Sequence, residues 1–194
     1  MSTVPYNVLV GVGTLYIGAA NLAKPATVET TPGAGWTSLG ETDGGVTIRK
    51  TQNIERFSSD QRTGNIKAVR TEEGLEIETN LNEATLENLA YAIEGTITDT
   101  PAGVGTIGTR ALKLYKGADV GTFALLFRGT SPYGASFAGE FYVPVVFSAE
   151  DVEMEFTKDG KTLIPVKFEA LEDTTAGSAA DRFGVITYKS AVAS

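Results

Sequence analysis

Hydrophobic residues along this chain recur mostly at every second position, in short runs broken by glycines and polar clusters. That period belongs to β-strands, whose side chains alternate between two faces. Gly13-Thr-Leu-Tyr-Ile-Gly18 predicts a short strand between glycines. Ala19 to Gly35, with Pro25, Pro32, Gly33 and Gly35, predicts a loop. Trp36 to Leu39 predicts another short strand. Asp43-Gly44-Gly45 is a turn signal, and Val46 to Ile54 a strand. Ile66 to Leu81 continues as strand with a bend at Gly74. In it Leu75, Ile77, Thr79 and Leu81 share one face, and Glu76, Glu78 and Asn80 the other. Between these strands, Glu55 to Asn65 has little to bury and is expected to project from the core.

One segment changes period. Over Glu83 to Glu94, Leu86, Leu89, Ala90 and Ile93 fall at i, i+3, i+4 and i+7, the stripe of an amphipathic helix. Asn82 suits its N-cap, Glu83 the positive end of its dipole, and Gly95 its C′ position. Glu87, Asn88 and Tyr91 fall elsewhere on the wheel. Thr96 to Thr109 then predicts a Gly/Thr/Pro-rich loop. Ala111 to Tyr115 and Phe123 to Arg128 predict strands around a Gly117 to Gly121 turn, and Ser131 to Glu140 a loop. Phe141 to Phe147 predicts a buried strand, with Pro144 demanding an edge or a bulge. Val152 to Thr157 and Leu163 to Ala170 predict a hairpin around Lys158-Asp-Gly-Lys161. In it Val152, Met154 and Phe156 face one way, and Glu153 and Glu155 the other. Asp173 to Ala180 predicts a loop, and Gly184 to Lys189 a last strand. Many short strands, one helix and frequent glycine turns predict a mainly β fold: a β-sandwich or barrel with one packed α-helix.

Composition narrows the chemistry. The 194 residues suit one domain, with a projecting loop at 55–65, a flexible N-terminal segment and a C-terminal tail. Cysteine and histidine are both absent. That removes disulfides, thiolate metal sites, the usual general base and the commonest metal ligand. The net charge of −8 is the wrong sign for gripping nucleic-acid phosphates, so tight DNA binding is not expected. Met1 to Ala23 carries no charged side chain, yet it has no basic n-region and is interrupted by Pro5, Gly11, Gly13 and Gly18. It predicts a buried strand rather than a signal peptide or a membrane span.

Three motifs have chemical precedents. Gly103-Val-Gly-Thr-Ile-Gly108 matches a dinucleotide-binding glycine pattern but lacks the strand before it and the helix after it. Asp159-Gly-Lys-Thr162 resembles the end of a phosphate-binding loop, but Glu155 stands where that loop needs glycine. The pairs Glu72/Glu73, Glu76/Glu78 and Glu153/Glu155 are the raw material of a glycosidase. Without an accompanying aromatic cluster they are expected to form solvated strand faces. Trp36, the only tryptophan, is expected to anchor a core or an interface. No catalytic residue, cofactor or metal site is expected.

The stretch from Trp36 to Ile93 carries a resemblance. Trp36-Thr-Ser-Leu-Gly40, Thr42-Asp-Gly-Gly-Val46, Asp60-Gln61 and Glu83-Ala-Thr-Leu-Glu-Asn-Leu89, preceded by Gly13-Thr-Leu-Tyr-Ile, resemble in order and spacing the major tail tube proteins of long-tailed, siphovirus-like bacteriophages. The resemblance implies a structural virion protein, not an enzyme. It implies a β-sandwich with a flanking helix, assembled in the host cytoplasm into homohexameric rings with a central β-barrel. Stacked rings would form the virion's tail tube, an acidic conduit for DNA ejection that DNA passes without tight binding or membrane insertion. Partners implied are further copies of the chain, the tape measure protein, and the tail terminator and tail tip proteins. On that reading Glu76, Glu78, Glu153 and Glu155 face the lumen. Glu55, Arg56, Ser58, Ser59, Asp60, Gln61 and Arg62 make inter-ring contacts. A capsid decoration protein or other β-rich binding module is the main rival, and a carboxylate-dependent glycan-active protein the next.

Overall fold

A computed structural model of the chain describes residues 13–133, 137–156, 158 and 160–192. The expected N-terminal segment falls mostly on residues 1–12, outside the described residues. Strands dominate as expected: β1 (Thr14–Ala19), β2 (Thr37–Ser38), β3 (Thr42–Phe57), β4 (Lys67–Leu81), β5 (Thr96–Thr100), β6 (Thr109–Lys113), β7 (Phe123–Thr130), β8 (Ala138–Ser148), β9 (Ile164–Ala170) and β10 (Val185–Tyr188). One helix, α1 (Leu86–Ala92), packs against β9 and β5.

The main sheet is antiparallel and runs β2-β1-β7-β8-β9-β4-β3, with β10 also on β8. Its first and last strands are joined by Leu39, Gly40 and Glu41 alone. Leu39 N–H donates to Leu15 O on β1 at 2.9 Å, and Asn82 N–H, just past β4, donates to Glu41 O at 2.9 Å. Two peptide steps span at most about 7 Å, so opposite edges of the sheet must approach one another. The sheet therefore rolls into a sandwich. Leu15, Ile17, Leu125, Val143 and Val146 from one wall meet Ile77, Leu81, Ile164, Val166 and Phe168 from the other, all buried. Alternation on β9 is strict: Ile164, Val166 and Phe168 point inward, and Pro165, Lys167 and Glu169 outward. Pro144 sits at a bulge of the interior strand β8. There Leu125 pairs with Val143 and Phe123 with Val146, leaving one extra residue.

The outer face of β1, β7 and β8 is covered by the loop 20–36. Trp36 meets Tyr142 edge-on at 6.3 Å, and Tyr142 Oη donates to Leu22 O at 2.9 Å. Beneath this loop Glu140 is fully buried. Its carboxylate takes Lys24 Nζ at 2.6 Å and Arg128 Nη2 at 3.1 Å, and Arg128 also donates to Thr27 O and Thr30 O. One buried charge thus pins the loop to the sheet.

Several expectations need correction. The helix is shorter than Glu83 to Glu94. Thr85, not Asn82, caps it, its Oγ1 accepting from Asn88 N–H at 3.2 Å. Asn88 is buried rather than solvated, donating to Leu39 O and Glu83 O, and Tyr91 stacks edge-on with Phe123. Glu94, not Gly95, takes the left-handed position after the helix, at φ +55°, while Gly95 N–H donates to Ala90 O at 2.9 Å. Asp43-Gly44-Gly45 is a bulge within β3, since Asp43 pairs with Asn80 and Val46 with Thr79. Both glycines there have φ near +80° (76° and 83°), which explains the residue type. The 96–109 region is not a loop but β5 and the turn of a hairpin with β6. The region 138–140 belongs to β8. Gly74 stays in register with Thr51, and the irregularity lies at Thr71, which has no partner between the Asn53–Glu72 and Ile54–Arg70 pairs. Finally, among the described residues no strand pairing joins the two halves of Val152 to Ala170. β9 pairs with β4 and β8, while residues 151–156 carry no strand. Both edges of β9 are taken, by β4 and by β8, and its inward face is buried in the core.

Glu140→Ala is expected to lower stability by about 3–5 kcal/mol, because it strands Arg128 beneath the loop. Lys24→Met, at a side chain that is a third exposed, should lose under about 1 kcal/mol. Urea unfolding followed by tryptophan fluorescence measures both. Equal, small losses would show that the buried carboxylate does not pin the loop.

Candidate assembly surfaces

Two outward features stand out from this body. The first is the hairpin arm of β3 and β4. β9 pairs with β4 only from Glu76 to Leu81, so beyond Lys50 and Leu75 the two strands have only each other. The expected projecting segment is thus the end of a longer ribbon, in which Glu55, Arg56 and Phe57 still belong to β3. Ile66 N–H donates to Phe57 O at 2.8 Å and Arg62 N–H to Ser59 O at 3.0 Å, closing the turn. Glu55, Arg56, Ser58, Asp60, Gln61 and Arg62 are exposed, and Ser59 is half-buried. Apolar side chains accompany them: Phe57 is 46% exposed, Ile66 54% and Val69 38%. A two-stranded ribbon is marginal in water, and this one shows apolar groups to solvent. At its base Glu73 binds Lys50 at 3.0 Å and Arg70 at 2.8 Å. The Lys50 hydrogen bond holds the Glu73 carboxyl below its ordinary pKa, against a smaller opposing effect of burial.

The second feature is the outward face of β3, β4 and β9. Register places Arg49, Glu76 and Glu169 in one row, and Thr47, Glu78 and Lys167 in the next. Glu76 and Glu78 therefore do point away from the core. They are not bare, however. Lys167 lies 3.5 Å from Glu76, 3.6 Å from Glu78 and 3.8 Å from Glu169, and Arg49 lies 3.4 Å from Glu76. Burial alone would lower the Lys167 pKa, but the carboxylates, Glu76 foremost, outweigh it and hold it high. Position 167 was legible as outward from its place between Val166 and Phe168. Its carboxylate partners depend on strand order, which no local pattern reveals.

Glu153 and Glu155 are exposed opposite Val152 and Met154, as alternation predicts, but their segment has no strand pairing to place them in a sheet with Glu76 and Glu78. The two groups are linked another way. Ala149 N–H donates to Lys167 O at 2.9 Å, and a shallow depression is lined by Asp43, Glu78 and Glu150. The acidic stretch 150–155 thus starts beside Glu78. Val152 and Met154 pack on the core, and Phe156 is exposed.

The glycine motif Gly103 to Gly108 is a turn. Gly103 and Thr106 exchange backbone hydrogen bonds at 3.0 and 3.1 Å in the β5–β6 turn, and no helix follows. Lys161 is held by Asn82 and Asp43. Asp159 lies outside the described residues. Among the described residues no three Asp or Glu side chains cluster to hold a metal ion, and no helix is long and apolar enough to cross a membrane.

A search of the curated proteins finds no match. The family model described as "Phage tail tube protein" matches residues 4–186, nearly the whole chain, including both outward features. The chain therefore belongs to the phage tail tube protein family, and is a structural component of the virion tail.

Proposed function

We propose that this chain forms homohexameric rings that stack into the tube of a long-tailed, non-contractile phage tail. Assembly takes place in the host cytoplasm, and DNA is ejected through the lumen. The observation that carries this reading is the β3–β4 arm. A ribbon that leaves the body, with Phe57, Ile66 and Val69 exposed, has a use only where another copy covers it. On this reading Glu55, Arg56, Ser58, Ser59, Asp60, Gln61 and Arg62 contact the next ring. The tape measure protein fills the lumen before DNA, and tail tip and terminator proteins bound the tube.

The same reading assigns the lumen wall to the outward face of β3, β4 and β9. Glu76 and Glu78 lie on it, with Glu153 and Glu155 on the acidic stretch beside it. Across Arg49, Glu76, Glu78, Lys167 and Glu169, three carboxylates face two cations, so the face is only mildly negative. Asp43, Glu150, Glu153 and Glu155 add to it. Such a wall gives DNA no row of free cations and so denies it the counterion release that drives adhesion. Charges beyond about 8 Å are screened at physiological salt, but a narrow pore keeps DNA inside that distance.

Electron microscopy with light scattering tests assembly: the purified protein, with tail-tip extract if needed, is expected to give rings or tubes. A monomer at every concentration would refute the proposal. Deleting Ser58 to Thr63 should leave a folded subunit that does not elongate. Normal tubes from that deletion would remove the arm from the interface. Glu76→Lys with Glu78→Lys should give tubes that retain DNA, with retention falling steeply as salt rises. The Gln pair serves as control, because it also strips Lys167 of its partners. If the Lys tubes release DNA like wild type, this face is not the lumen.

A further inference from the structure

The β5–β6 hairpin and the open end of the sandwich are complementary in a way the tube reading does not use. The hairpin stands off the body. From Thr100 to Thr109 it carries no charged residue, in a chain that is 21% charged. Its turn shows Val104 fully to solvent and Ile107 at 81% exposure, the most exposed aliphatic pair among the described residues. Next to the turn, Arg110 is tied to its cross-strand partner Asp99 at 2.8 Å and also to Glu87 on α1, which fixes the direction of the ribbon.

At the far end of the body the two sandwich walls part. A groove of about 500 Å³ opens between Leu15, Phe127 and Phe141 on one wall and Ile48, Leu75 and Ile77 on the other. Ile186 of β10 lies at its edge and is 55% exposed. The groove interior is apolar. Its charged lining residues are Lys50 and Glu73, already paired with each other, and Asp181. A small polar ligand would find few groups to orient it there. An uncharged, apolar knob needs none.

Knob and groove lie at opposite ends of the subunit. β8 shows this: Phe141 lines the groove, while Ser148 bonds to Ala92 O at the end of α1, on which the hairpin rests. Seven residues of strand separate them, about 23 Å. In the described fold the hairpin does not fill its own groove, since Val104 and Ile107 remain in solvent. We infer that the β5–β6 turn of one copy inserts Val104 and Ile107 into the sandwich groove of a second copy. Such a contact joins two different patches, so it is heterologous. Repeated, it closes into a ring or runs on as a filament. The inference rests on the self-assembly of the tail tube family and names the surfaces used, independently of the arm.

The chain has no cysteine, so site-directed cross-linking is clean. Ile107→Cys and Ile186→Cys proteins, mixed at high concentration and mildly oxidised, are expected to give a 107–186 disulfide dimer. Neither variant alone should give its homodimer to the same extent. The full-length Val104→Asp/Ile107→Asp protein should keep its fold by circular dichroism yet lose assembled material about tenfold or more, since burial of even one large apolar side chain is worth that factor. Tubes without the 107–186 link, or with the Asp variant assembling normally, would overturn this inference and leave the tube reading standing. The link formed in closed oligomers that never stack would support this contact and refute the tube.

Discussion

Three residues between β2 and β3 hold the two edges of the main sheet within two peptide steps of each other. Leu39 bonds to β1 and Glu41 to the end of β4, so the sheet must curl, and its curled inner face becomes the core. The position of everything outside the core follows from that closure. β4 has a partner on its far side only where β9 reaches it, at Glu76 to Leu81. Beyond that point the β3–β4 pair has left the body. The same closure buries Leu39 and seats Asn88 of α1 against its carbonyl, so the helix is locked to the seam rather than merely resting on a sheet.

Charge is distributed to suit an assembly subunit. Glu140, the most deeply buried carboxylate among the described residues, has two cations and a pinning role. The carboxylates on the β4–β9 face are shared out around Lys167, which limits their mutual repulsion while leaving the face without a free cation. The chain has no histidine and no cysteine, so imidazole and thiolate chemistry is absent from it. The Gly103 to Gly108 pattern that imitates a nucleotide site serves as a hairpin turn.

How much of this was legible in the sequence depended on the range of the interaction. Alternation identified β4 and its outward Glu76 and Glu78, because a strand's two faces are a local property. Pro144 correctly announced a bulge. Local signals failed where a distant partner decided. Asn82 is as good a cap as Thr85 by residue type, but its backbone is committed to Glu41 at the seam. Lys158 to Lys161 has hairpin chemistry, yet β9 is claimed on both edges by β4 and β8 and has no edge left for residues 152–156. The length of the arm was half seen. The polar stretch 55–65 marked its tip, but only the short overlap with β9 shows that it begins near Lys50.

The central claim is that the arm is an assembly element, ordered by other copies. Hydrogen exchange on free subunits and on assembled protein tests it most directly. Amides of residues 51–57 and 67–73 are expected to exchange quickly in the subunit and to become protected on assembly, while β7 and β8 stay protected in both. Arm amides as protected in the free subunit as in the assembly, or unprotected in both, would contradict it.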